Sequence, residues 1–245
     1  MLLIAAFGIG LIASFFSCIA GGAAGLIGVP LLLLLGLPPY SAVSTPKISA
    51  LGISIGSLFQ FYGKNLIRWS LLPGLIVLGA IAGIVGAQAL LETPEYIVEQ
   101  VVIVLLVVSV LLLWSRKDMG VVAFAVSGSR KFLGYIVYFF SEGLRAAFGS
   151  GFGMLTGVVL TYFFGLTNLE SLATKRIPGL IVTTVALVVF LIQGVIDVPV
   201  GIAMFFGSLV GSYFGTHYAI LVGDRILKYL FTVFALVMIV VLLIF

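Results

Sequence analysis

Apolar residues run along this chain in stretches near the roughly 20 residues that cross a bilayer as a helix, and polar residues gather in short breaks between them. Residues 1–20 predict one helix, interrupted by Gly21-Gly22-Ala23-Ala24-Gly25. A shorter apolar stretch, 26–35, then runs to the turn Gly36-Leu37-Pro38-Pro39. A second long segment covers 40–62, with Pro46 as an internal disturbance because it lacks an N–H and disfavours a helical residue before it. Lys64, Asn65 and Arg68 mark a loop. The third and fourth segments cover 71–91 and 95–114, separated by Glu92-Thr93-Pro94-Glu95, where Thr93 as N-cap and Pro94 as first helical residue signal a helix start. The alternation expected of strands is absent, which argues against a barrel.

The pattern then returns. Sliding the chain by 129 residues without a gap pairs Gly22 with Gly151, Leu26 with Leu155, Gly28 with Gly157, Gly36-Leu37 with Gly165-Leu166 and Thr45 with Thr174. It also pairs Lys47 with Arg176, Phe61 with Phe190 and Gly86 with Gly215. Such internal symmetry is common among secondary transporters. It predicts a first repeat over 1–115, a linker over 116–129 and a second repeat over 130–245. Each repeat is a Gly-broken helix hairpin plus three transmembrane helices, giving about 8–10 membrane segments in the whole chain. Loop charges suggest how the halves thread: Lys64, Arg68, Arg116, Lys117, Arg130, Lys131, Arg225 and Lys228 all fall on the cytoplasmic side in one threading, leaving Glu92, Glu95, Glu99 and Asp197 opposite. That threading makes the hairpins (about 1–36 and 130–165) enter and leave on one side. It also makes the repeats inverted and puts both termini outside.

Composition narrows the class. With 62% hydrophobic and only 8% charged residues, too few polar groups remain to cover a water-facing surface, so the chain reads as an integral membrane protein of the all-α kind. The net charge of +4 is scattered in ones and twos at segment ends, a topology signal rather than a nucleic-acid surface. A lone Cys18 permits no internal disulfide, and no spacing of His and Cys suggests a metal or a cofactor. An apolar start with no preceding positive region argues against a cleaved signal peptide.

The candidate chemistry lies where polarity interrupts apolar runs. Lys47, Lys175 and Arg176 sit inside such runs, where a cation costs about 2.5–3.5 kcal/mol on insertion scales. The expectation is that Lys47 faces Lys175 and Arg176 across a cavity and that together they hold an anion. They could instead snorkel or pair with carboxylates. The glycine breaks, represented by Gly22 and Gly25 and by Gly151 and Gly153, each precede a short helix whose free N–H groups form an anion site. They could instead serve close helix packing. Hydroxyls of Ser44, Thr45 and Thr174 complete the expected donor set. Glu142 and Arg145 have the spacing of an ion pair on one helix face, and Glu142 is also a candidate proton carrier. His217 reads as a packed histidine or a proton relay, and Thr167 with Glu170 as a capping box. No catalytic constellation can be assembled, which disfavours an enzyme.

The glycine run followed by Val29-Pro30-Leu31-Leu32, then Gly36-Leu37-Pro38-Pro39, Ala42 and Thr45, resembles the TauE/SafE family of sulfite and organosulfonate exporters. The resemblance extends over essentially the whole chain. It implies a multi-pass transporter of the cytoplasmic membrane that moves a small sulfur-containing anion, such as sulfite or sulfoacetate, more often outward than inward. The expected mechanism is alternating access, with an anion channel or an uptake permease for another oxyanion or carboxylate as alternatives. The expected partners are the anion, the lipid bilayer and a coupling proton, with a homodimer left open.

Overall fold

The computed structural model describes residues 1–19, 21–22, 24–92, 120–148 and 153–244. The expected helix start at Thr93-Pro94, the segment over 95–114, Arg116, Lys117 and Gly151 lie outside the described residues. Every regular element among the described residues is helical: α1 (Leu2–Ile19), α2 (Ala24–Leu34), α3 (Pro39–Ser44), α4 (Pro46–Phe61) and, after the 3-10 turn Trp69–Leu71, α5 (Leu72–Glu92). The second half supplies α6 (Gly128–Phe148), α7 (Gly153–Phe164), α8 (Asn168–Thr174), α9 (Arg176–Ile192) and α10 (Val198–Ile244), the last kinked at Gly223. Shifted by 129, the starts of α2 through α4 fall within a residue of those of α7 through α9.

The first glycine break folds a hairpin. Gly21 and Gly22 take φ of +77° and +121°, a region that side chains disfavour, and α2 turns back along α1 so that Leu32 and Leu37 pack with Ala6 and Ile9. In the second half α7 turns back along α6 in the same way, bringing Leu160, Phe164 and Leu166 onto Tyr138. The tips of the two hairpins meet: a Cβ on Gly22 would lie 2.8 Å from Gly153 Cα, so this contact depends on glycine.

Glycine seams join the halves. Gly10 abuts Met204, Gly207 abuts Phe7, Gly211 abuts Leu11 and Gly215 abuts Phe15, so α1 and the first part of α10 run parallel at backbone contact. Gly74 on Tyr135 and Gly86 on Gly143 make the matching seam between α5 and α6. Helices already surrounded by apolar surface gain little by hiding more of it, and close van der Waals approach holds them instead. Along α4 a ladder of hydroxyls adds Ser49 to Ser208 at 2.5 Å and Thr216 to Ser57 at 3.0 Å.

The expected long segment over 40–62 is two helices, α3 and α4, because Pro46 breaks it at Thr45. The segments are therefore shorter than expected. Leu2–Ile19, Trp69–Ala89 and Val198–Leu230 are the described helices long and apolar enough to cross a membrane, with α8 plus α9, bent by 41°, as a fourth. The 11 residues of α2 reach only about 16 Å at 1.5 Å per residue, against a hydrocarbon core of about 30 Å. Large apolar side chains such as Ile4, Phe59, Ile81, Phe206 and Leu221 are exposed on the outside, as contact with lipid requires.

Candidate functional site

Where the hairpin tips meet, a cavity of about 40 Å³ remains. At the 10–15 Å³ that one water requires, this is room for about three, the scale of an anion of a few heavy atoms. Ser17 and Gly22 line it from the first hairpin, Gly153 and Thr156 from the start of α7, and Ala50, Ile53 and Ser54 from α4. Glu142 and Arg145 enter from α6, and Lys175, Arg176 and Gly179 from the junction of α8 and α9.

Three basic side chains, Arg145, Lys175 and Arg176, line this chamber against one carboxylate. The carboxylate is fully engaged. Glu142, 2% exposed, accepts from Arg145 Nε at 2.8 Å and Nη2 at 2.5 Å, and from Thr156 Oγ1 at 2.8 Å. The expected ion pair is therefore present, and it stands in the chamber wall. Lys175 Nζ donates to the carbonyls of Gly21 at 2.7 Å and Gly153 at 2.8 Å, tying one hairpin tip to the other. Arg176 Nη2 donates to Cys18 Sγ at 3.3 Å, while its Nε–H is buried without an acceptor. A buried donor left unpaired costs about 1–3 kcal/mol, so this group favours an acceptor in the chamber.

The other sequence candidates are placed elsewhere. Lys47 is buried in the first turn of α4 and does not line the chamber; its ammonium donates to the carbonyls of Arg145 (3.0 Å) and Ala146, at the end of α6. Helix ends carry carbonyls without helical partners and a partial negative charge, which offsets the desolvation of this lysine. Ser44 Oγ donates to Val195 O at 2.7 Å. Thr45 Oγ1 accepts from Asp197 N at 3.1 Å, and Thr174 Oγ1 accepts from Arg68 N at 3.0 Å. The last two contacts are one contact repeated, since Thr45 and Thr174, and Arg68 and Asp197, are 129 residues apart. Gly25 lies buried in the first turn of α2, outside the chamber lining. His217 is exposed on α10, so the packed histidine expected from the sequence is corrected: that position is on the outward stripe of its helix. Thr167 and Glu170 form the expected capping box, with Glu170 N on Thr167 Oγ1 at 3.2 Å and Thr167 N on Glu170 Oε2 at 3.1 Å.

Sequence reasoning did not assign Arg145, Ser17, Ser54 or Thr156 to the site. Arg145 could have been found from its place, three residues past a carboxylate in a run that otherwise has few charges. The hydroxyls carried no such signal, because serines and threonines recur throughout the apolar segments.

The profile of the family described as "Sulfite exporter TauE/SafE" matches residues 6–242 of the chain. The chain is 25% identical over 226 residues to a "Probable membrane transporter protein" of Haemophilus influenzae, covering 91% of this chain and 87% of that one. It is 26% identical over 225 residues to "Probable membrane transporter protein ORF9" of Sinorhizobium sp, covering 89% and 83%. It is 22% identical over 242 residues to "Probable membrane transporter protein YfcA" of Escherichia coli K12, covering 95% and 86%. No solved structure matches it. A profile match over nearly the full length, together with the apolar helices that embed it in a membrane, shows that the chain belongs to the TauE/SafE family of membrane transporters.

Proposed function

We propose that the chain is a secondary transporter that carries a small sulfur-containing anion, sulfite or an organosulfonate such as sulfoacetate, out across the cytoplasmic membrane by alternating access. The carrying observation is the chamber itself: three basic side chains against one carboxylate, with the buried Arg176 Nε–H unpaired. In water-poor surroundings such a set replaces the hydration an oxyanion loses. Arg176 and Lys175 are the proposed direct ligands, with the glycine tips at Gly22 and Gly153 letting backbone approach the anion. Lys47, Ser44, Thr45 and Thr174 tie the halves together and serve the anion by holding the chamber walls. The small volume supports a carrier that closes around its cargo over an open pore.

Inverted repeats across the bilayer form part of this proposal. Lys47, at the start of α4, packs on Phe190, near the end of α9, with its Nζ 5.6 Å from the ring centroid. Equivalent helices passing in opposite directions are what an in-plane two-fold axis produces. The loop ends carrying Arg68 and Lys131 are then cytoplasmic, by the positive-inside rule.

Glu142 is the proposed proton carrier: protonation would release Arg145 to the anion and keep the charge of the loaded chamber nearly constant. The test is sulfite counterflow in proteoliposomes. Saturable counterflow that falls at least about 100-fold in Arg176→Gln, the scale of losing a charged hydrogen bond worth about 2.7 kcal/mol, is the expected result. Flux carried as uncoupled current, or parent-like counterflow in Arg176→Gln, rejects the reading. Glu142→Gln is expected to flatten the pH dependence of flux; an unaltered pH profile removes Glu142 from the proton path.

A further inference from the structure

A second polar hollow, about 290 Å³, opens between the loop before α5, the start of α6 and α8. Arg68 and Ser70 line it from the loop before α5, Lys131 from the first turn of α6, and Glu170 from α8. Its floor is apolar, from Leu71, Phe124, Phe164 and Leu166. The wall is built by specific contacts. Phe124 N donates to Gly165 O at 3.0 Å, Asn168 N donates to Gly120 O at 2.8 Å, and Arg130 stacks at 4.2 Å from the Tyr162 ring centroid and 5.4 Å from that of Phe124.

Two cations here face one carboxylate, and that carboxylate is already occupied. Glu170 Oε1 accepts from Arg68 Nη2 at 2.5 Å, and Oε2 accepts from Thr167 N at 3.1 Å. A guanidinium carries five N–H groups, so one bond to Glu170 leaves most of Arg68 available. Lys131 is exposed, and its ammonium has no partner among the described residues. One hydrogen bond ties the hollow's wall to the chain that leads into the chamber: Arg68 N donates to Thr174 Oγ1, and Thr174 precedes the chamber-lining Lys175 and Arg176.

We infer that this hollow is a second, outer anion site, in which Arg68 and Lys131 hold an oxyanion before it is admitted to the chamber or after it is released. The inference rests on the anion-carrying reading of the chamber. Cations above a low-dielectric floor concentrate field lines and raise the local concentration of counter-ions. The outer site is wide, partly wet and lined by point charges, so it selects for negative charge, while the small chamber selects for size and shape. A phospholipid headgroup shares the chemistry of a free oxyanion, and the experiment separates the two.

The test is acetylation of Lys131 by acetic anhydride, read by mass spectrometry with the exposed Lys64 as internal reference, on intact protein in phosphatidylcholine nanodiscs at low ionic strength. Inorganic sulfate is the probe. Sulfate should lower the Lys131 to Lys64 labelling ratio at least about threefold, and 0.5 M sodium chloride should reduce the effect, because chloride competes for the same cations and the Debye length falls to about 4 Å. A ratio unmoved by sulfate overturns the site. Protection that appears only on adding phosphatidylglycerol, without sulfate, assigns the hollow to lipid and also overturns it. Sulfate protection that persists in Arg176→Gln, alongside lost counterflow, is expected; counterflow surviving in that variant sinks the chamber reading while the protection ratio still decides the outer site. As an independent kinetic check, Lys131→Gln should raise KM for sulfite several-fold at low salt with the saturating rate unchanged, and an unchanged KM counts against the site.

Discussion

At the scale of the residue, the buried cations divide into groups with different surroundings. Lys47 spends its donors on the carbonyls of Arg145 and Ala146, whereas Arg176 keeps a buried N–H unpaired beside the chamber. Deleting these two positive charges should therefore have separable effects. Lys47→Met keeps the length of the side chain and leaves two buried carbonyls without a donor, which costs about 1–3 kcal/mol for each group left unsatisfied. Thermal unfolding in detergent should show a lowered Tm for Lys47→Met, while KM for sulfite in the protein that remains folded stays within about twofold of the parent, well under the 1.4 kcal/mol of a tenfold change. A KM raised tenfold with an unchanged Tm would show Lys47 to be a direct ligand. Glu142 shows the same logic with the opposite sign. Its three hydrogen bonds, two of them from Arg145, make it the internal partner of that guanidinium.

At the scale of the element, glycine decides where helices stop and how closely they lie. Gly22 combines a φ of +121° with a backbone neighbour, Gly153, that leaves no space for a side chain. Its replacement by Ala carries both a conformational cost of about 1–2 kcal/mol and the displacement of one hairpin tip from the other. The expected outcome for Gly22→Ala is a marked fall in thermal stability and in sulfite flux. Gly28→Ala serves as the control: a Cβ there meets only the far end of Met204, at 3.9 Å, and Ala is the better helix former, so its Tm should match or exceed that of the parent. A parent-like Gly22→Ala would show that the hairpin tips do not touch. The short length of α2 and α7 follows from the same breaks, since a helix that begins at the hairpin tip needs only to return to the end its partner came from.

At the scale of the whole molecule, matched latches join the halves at opposite ends. Thr45 holds the backbone before α10, and Thr174 holds the backbone before α5, by the same hydroxyl-to-amide contact. One end adds an ion pair, Arg68 with Glu170 at 2.5 Å. Under the proposed alternating access, rocking of the halves about the chamber has to open one latch at a time, so a disulfide across either should arrest transport. Thr45→Cys with Asp197→Cys and, separately, Thr174→Cys with Arg68→Cys are expected to lose counterflow on oxidation and regain it with reductant; full flux through an oxidised pair would exclude rocking at that end. The sequence by itself determined what depends on neighbours along the chain. It showed the membrane-embedded helical class, the breaks at Gly21-Gly22 and at Pro46, the repeat at 129 residues, the Glu142 and Arg145 pair and the capping box at Thr167, because apolarity, helix spacing and capping are local. Only the tertiary structure decided which distant groups meet. It put Lys47 on the end of α6, drew Arg145 and Thr156 into the chamber wall, turned His217 outward and gave each threonine latch a partner in the other half. The physical reason is that membrane helices are apolar nearly all round, so their composition does not mark which face turns inward; backbone approach at glycines and a few buried hydrogen bonds make that choice.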